Sequence, residues 1–179
     1  MSVEPAVIPK KKRVKKIKPA AGPHQIIYPD DVVMSHQWHL NGSPITEIPE
    51  NVVGFVYCIT NLKTGKKYIG KKNFFRMKSR SINKQAYKER VQSDFIEYYG
   101  SNDQLNVDVV VNGPEHFRRD IIVMCTSISM MSYWETKYIF MMDAIISDRF
   151  YNEWVTCKIT CKHVTQKNID GVELLDLRS

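Results

Sequence analysis

Between Gly54 and Lys71 the apolar and aromatic residues form two short runs, Gly54 to Thr60 and Lys66 to Lys71, around the polar turn Asn61-Leu62-Lys63-Thr64-Gly65. β-Branched and aromatic residues on both sides of a glycine-containing turn predict two antiparallel strands. Period-two alternation puts Phe55, Tyr57 and Ile59 on one face of the first arm, and Tyr68 with Gly70 on one face of the second. The two tyrosines share a face if the register permits. "FRRDIIVMC", Phe117 to Cys125, reads as a third strand. Leu105, Val109 and Val110 mark a helix that starts at Asn102 or Asp103, after the flexible Gly100, and ends near Asn112-Gly113-Pro114. A longer helix, capped by Ser127 or Ser129, covers "MMSYWETKYIFMMDAII", where apolar residues are dense enough to bury most of it. Val155, Cys157, Ile159 and Cys161 alternate with Thr156, Lys158, Thr160 and Lys162 as in a short strand.

Other stretches lack such periods. Residues 24–52 mix prolines, aspartates and histidines, which predicts an irregular segment leading into the domain. From Asn73 to Arg90 the chain is cationic and weakly periodic, with Arg76, Lys78, Arg80, Lys84, Lys88 and Arg90. This predicts a loop with a short helix, exposed to a phosphate backbone. Residues 1–23 hold "PKKKRV" and more lysines, a density of like charge that predicts a disordered basic arm. "PKKKRV" looks like a nuclear localisation signal; the plainer reading is a phosphate-binding or solubilising tail. The expected organisation is therefore an arm (1–23), a lead-in (24–52), one domain (53–165) and a fraying tail (166–179).

A chain of 179 residues with 43% hydrophobic content supports one core rather than two full domains. A formal charge of +7 favours polyanionic partners, with nucleic acid first. No apolar run approaches the roughly 20 residues that span a bilayer, and the N-terminus has no hydrophobic signal core. The expectation is a soluble protein with no membrane partner, in the cytoplasm of a bacterium or phage-infected host cell, or the nucleus of a eukaryote. Four scattered cysteines, Cys58, Cys125, Cys157 and Cys161, read as reduced thiols. Cys157, Cys161 and His163 are one ligand short of a structural zinc site, and the two cysteines read as packed on a strand face. His36-Gln37-Trp38-His39 has no Cys or carboxylate at ligand spacing and reads as a packed tryptophan between surface histidines.

Glu135 sits between Trp134 and Thr136 on the apolar helix. A carboxylate there reaches the surface, pairs with a cation or ligates a metal, because an unpaired buried charge is costly. Together, the hairpin "VYC...YIG", the basic residues after it, this later carboxylate and Asn152 in "FYNEW" resemble the GIY-YIG nuclease family over residues 54–154. "YIGKKNFF" and "YYGSN" look like the variant in homing-type and uncharacterised phage endonucleases. The resemblance implies an α+β fold, a small three-stranded antiparallel sheet flanked by helices. It makes Tyr57 and Tyr68 active-site residues, Gly70 the glycine where the backbone passes close to the site, Glu135 the ligand of one Mg²⁺ or Mn²⁺, and Asn152 the residue that fixes the site. Arg76 or Arg80 matches the family arginine, with Arg76 preferred. The first motif departs from Gly-Ile-Tyr but keeps the phenol. No histidine lies between Tyr57 and His116, and Tyr98 or Tyr99 takes the place of the one many members carry.

Cutting a phosphodiester needs a nucleophile made from water, a counter-charge for the developing phosphorane and help for the departing oxygen. One metal on Glu135 meets the last two needs. A free phenol, with a pKa near 10, is a poor base at neutral pH unless cations stabilise its anion. Lys71, Lys72 and Arg76 follow Tyr68 closely enough to be expected to do that, while Lys71, Lys72, Lys78 and Lys84 are expected to hold double-stranded DNA. The sequence thus reads as a metal-dependent DNA endonuclease, a phosphodiester hydrolase. Two rivals remain: a DNA-binding module of the same fold that has lost cutting, and an RNA- or single-strand-binding protein that stacks bases on Phe74, Phe75, Tyr87, Tyr98 and Tyr99.

Overall fold

The computed structural model describes residues 23–28, 37–82, 85–161 and 164. Two-residue strands β1 (His24–Gln25) and β4 (Glu47–Ile48) pair with each other, and β2 (Trp38–Leu40) pairs with β3 (Ser43–Pro44). The expected hairpin forms from β5 (Gly54–Asn61) and β6 (Lys67–Asn73). A second hairpin, β7 (Phe75–Ile82) with β8 (Gln85–Gln92), precedes α1 (Asp103–Asn112), β9 (Phe117–Cys125) and α2 (Ile128–Met141).

The main sheet has five strands in the order β3-β2-β9-β5-β6 and is mixed, because β2 runs parallel to β9. The three antiparallel strands expected from sequence are its centre and one edge. Two further strands come from the segment expected to be irregular. Each is only two or three residues long, too short to show a period, yet β2 carries Trp38 to complete burial between Phe55 and Tyr57. A second difference lies at 75–92, where two paired strands replace the expected loop and short helix. The apolar run after Ser127 also stays helical only to Met141, because Asp143 takes φ +51° and Ala144 N–H turns back to Ile139 O. Residues 155–161 form no strand, and Cys157 and Cys161 are exposed rather than packed.

Alternation along β5 gives the sheet two buried faces. Phe55, Tyr57 and Ile59 join Trp38, Phe74, Phe95, Leu105 and Phe117 on the α1 side. Val56 and Cys58 join Ile69, Met131, Trp134 and Tyr138 under α2. Opposite Val56 and Tyr57 the β5–β9 register shifts by one residue at Ile122. Such a bulge re-aims side chains: here Ile121 stays with the first face while Ile122 and Val123 both meet the second. Caps set the helix starts, with Asn102 accepting from Leu105 N–H (2.9 Å) and Ser127 from Met130 N–H (3.2 Å).

In the β5–β6 register Tyr57 stands opposite Gly70, and its ring lies across that glycine. A Cβ at position 70 would fall 2.6 Å from Tyr57 Cζ and even closer to its hydroxyl. Gly70→Ala should therefore displace Tyr57 and cost about 1–3 kcal/mol of stability, read as a lower midpoint in chemical denaturation. An unchanged midpoint would show that the ring moves freely.

Candidate active site

Strand β6 lies at the edge of the main sheet, and the chain beyond α2 returns to cover part of that edge. Lys67 N–H donates to Arg149 O (2.9 Å) and Tyr151 N–H to Lys67 O (2.8 Å), so Phe150 pairs with Lys67 as one more parallel strand would. The ladder then passes to a side chain. Asn152 Oδ1 accepts from Ile69 N–H at 2.9 Å and its Nδ2 donates to Ile69 O at 2.8 Å. A carboxamide has one acceptor and two donors, which lets it match both groups of a peptide.

A cleft of about 710 Å³ opens beside this clamp, lined by Tyr68, Lys71, Ser101, Asn102, Glu135 and Asn152 among others. Alternation on β6 turns Tyr68 toward the α1 side and Lys71 toward α2, and both reach the cleft because their strand is at the edge. The Tyr68 hydroxyl meets Ser101 Oγ at 3.0 Å. Lys71 Nζ donates to Glu135 Oε2 at 2.6 Å, with Glu135 largely buried (16% exposed). Asn102, besides capping α1, donates to Tyr151 O and so ties the helix to the returning segment. Tyr151 in turn donates to Asp108 and accepts from Asn61.

Tyr57 is wholly enclosed, its ring 6.2 Å from that of Tyr68 and 6.1 Å from that of Tyr98. Burial pushes the Tyr57 phenol well above its ordinary pKa, and the neighbouring phenols and the Glu135 charge add to the shift. Burial likewise raises Tyr68, partly offset by the Ser101 hydrogen bond. The expected cationic relief is not seen, because the lysines are engaged elsewhere. Lys71 neutralises Glu135, and Lys72 sits 3.3 Å over the Tyr98 ring while pairing with Asp94 at 3.0 Å.

Other expected residues are dispersed. Tyr98 joins the Tyr57 cluster, whereas Tyr99 faces Phe117 and Arg119 on the far side of the core. Arg76 and Lys78 lie on the second hairpin, exposed, and Arg80 there pairs with Glu89. Lys84 and the basic arm through residue 22 lie outside the described residues. Among the described residues no three of His, Cys, Asp and Glu cluster as metal ligands, so Glu135 is a single carboxylate donor.

Ser101 and Asn102 line the cleft, although in the sequence they mark only a helix start. Arg119 was not anticipated: it is 1% exposed, donates to Ile96 O and Tyr98 O, and lies over Trp38 and Tyr99. Its signal was present: an arginine in phase with Phe117 and Ile121 on an apolar strand face.

The domain is thus an α+β fold with two tyrosines on one hairpin and a helix carboxylate at that hairpin's edge. Residues 38–155 match the family model described as "Putative endonuclease segE, GIY-YIG domain", and the chain belongs to the GIY-YIG family. Neither the curated proteins nor the solved structures yielded a match. None of the described helices is long and apolar enough to cross a membrane.

Asn152→Ala should leave Ile69 N–H and C=O unpaired, at about 1–3 kcal/mol for each group that water cannot reach. The expected result is a lower denaturation midpoint and faster amide exchange at Ile69. Exchange at Ile69 that matched the parent protein would exclude the clamp.

Proposed function

We propose that this chain is a metal-dependent endonuclease that hydrolyses phosphodiester bonds in double-stranded DNA, with the β6-edge cleft as its active site. One observation carries the reading: a phenol, an ammonium and a carboxylate from β6 and α2, Tyr68, Lys71 and Glu135, converge on that single cleft. Glu135 fits a hard cation of the Mg²⁺ type, which commonly takes one or two protein carboxylates and fills its other positions with water and phosphate oxygens. Such an ion, Mg²⁺ or Mn²⁺, supplies counter-charge to the phosphate and the departing oxygen. With Glu135 so occupied, Lys71, which lines the same cleft, would be available as a donor to a phosphate oxygen.

Tyr68 is the base in this reading. It lines the cleft, whereas Tyr57 is enclosed and positions Tyr68 by packing. Ser101 holds the Tyr68 hydroxyl in place. Arg76, near the root of the second hairpin, steadies the substrate phosphate. Arg80 is taken up by Glu89.

A second reading has its own support. Lys71 already neutralises Glu135, which suits a DNA-binding module of this fold that has lost cutting. Supercoiled plasmid separates the two. Nicking with Mg²⁺ or Mn²⁺ that disappears in a chelator, and falls by about 100-fold or more in Glu135→Ala with DNA binding retained, supports the nuclease. Binding without nicking in every metal supports the module.

The raised Tyr68 pKa also fixes a sign. The active form of the base is the phenolate, scarce below its pKa, so the cleavage rate should rise about tenfold per pH unit from about pH 7 to 9 without levelling. A plateau near neutrality would remove Tyr68 from the role. Tyr68→Phe should abolish the rise along with the activity.

A further inference from the structure

The protein's positive charge is unevenly placed. Residues 75–92 hold six lysines and arginines against one glutamate, and residues 1–23 hold seven against one. All other residues together hold thirteen against seventeen. Apart from the arm and the second hairpin the chain is therefore net acidic, although its cleft is read as a site for a polyanion.

The β7–β8 hairpin is a two-stranded sheet of its own, and each strand has little contact with any element but the other. Residues 76–81 and 88–90 are exposed on both faces. The register puts Arg76, Lys78 and Arg80 on one face, and Met77, Ser79, Lys88 and Arg90 on the other. A free two-stranded ribbon is marginal in water, so this one is held at its root. Phe74 and Phe95 are buried against each other at 5.0 Å, Ser93 bonds back to Asn73 O and Phe74 O, and Arg90 lies 3.7 Å over the Phe75 ring. Only Asn73 and Phe74 separate β7 from the lysines of β6, so the ribbon starts at the cleft strand itself.

We infer that the β7–β8 ribbon enters the major groove of duplex DNA beside the scissile phosphate and supplies most of the folded domain's affinity for it. At about 3.3 Å per residue, eight-residue strands reach roughly 26 Å, and the major groove, about 12 Å wide, admits a two-stranded ribbon. Cations on both faces suit a ribbon with a phosphate wall on each side. Met77, Ser79 and the arginines are side chains that can touch base edges there. The A-form RNA groove is too narrow and deep for such an element, so the occupant is DNA. This inference rests on the DNA substrate proposed above.

The test uses the full chain in a chelator, with a guanine-rich DNA duplex and an RNA duplex of the same sequence, and compares the parent with Lys78→Gln/Lys88→Gln, one substitution per face. Both positions are exposed, so folding should survive. The expected results are preference for DNA, a slope of log affinity against log salt that is shallower by about 2 in the double variant, and N7-methylguanine interference with the parent that weakens in the variant. A shortened ribbon with Met77 joined to Arg90 through Asn-Gly should lose the interference entirely. A parent that binds duplex DNA in the chelator and nicks plasmid once Mg²⁺ or Mn²⁺ is supplied, with salt slope and interference unchanged in the double variant, would overturn the ribbon's role and leave the nuclease standing. Equal or tighter binding of RNA would overturn the groove assignment. No binding or cutting of duplex DNA by the parent would overturn the substrate reading and this inference with it.

Discussion

The Asn152 carboxamide laid against the Ile69 peptide is the contact on which the site depends. A strand at a sheet edge carries unpaired N–H and C=O groups, and here one side chain answers both groups of one residue. Ile69 lies between Tyr68 and Gly70, so fixing its peptide plane fixes the direction of the phenol on one side and the close approach to Tyr57 on the other. The same segment bonds Lys67 through Arg149 and Tyr151, and Asn102 bonds Tyr151 O. Edge strand, returning chain and α1 are thereby joined around one cleft wall. Glu135 on α2 forms the opposite wall, held by Lys71.

Electrostatics inside that cleft differ from a simple picture of cations acidifying a phenol. Burial dominates both tyrosines and raises them, and the Lys71 ammonium is spent on the Glu135 carboxylate. The lysine and the glutamate form a close, largely shielded ion pair, and in the proposed function a divalent ion would have to compete with the ammonium for the same oxygen. Arg76, Lys78, Lys88 and Arg90 lie apart from the cleft, exposed on the β7–β8 hairpin.

Much of the centre was legible in the sequence, because its elements are long enough to show their periods. The β5–β6 hairpin, β9 and the start of α1 appear where alternation, turn residues and caps place them, and the tyrosine pair shares a face as alternation allows. Trp38 was unreadable as a sheet residue, since its strand spans three positions and pairs with a partner some eighty residues away. The ribbon hid for another reason: Arg76, Lys78 and Arg80 do alternate with Met77 and Ser79, but without an apolar face, so hydrophobic period had nothing to report. The pairing of Lys71 with Glu135 and the place of Ser101 in the cleft were not legible, because both depend on edge position, which local sequence does not encode. The far-side placement of Tyr99 follows from Arg119, a buried cation stacked between rings, where pattern rules expect an aliphatic residue.

The closure of β6 also bears on how the molecule behaves in a crowd. An open edge strand is a template on which another chain can add itself. At one end of this sheet the edge is β3, only two residues long, and at the other the stretch from Lys67 to Ile69 is occupied by residues of the same chain. Beyond it stand Lys71 and Lys72, each held in an ion pair, with Glu135 and Asp94 respectively. The contact that aims the phenol thus also denies neighbouring copies a place to zip on, so a variant that loosened it would be expected to form aggregates as well as lose its shape.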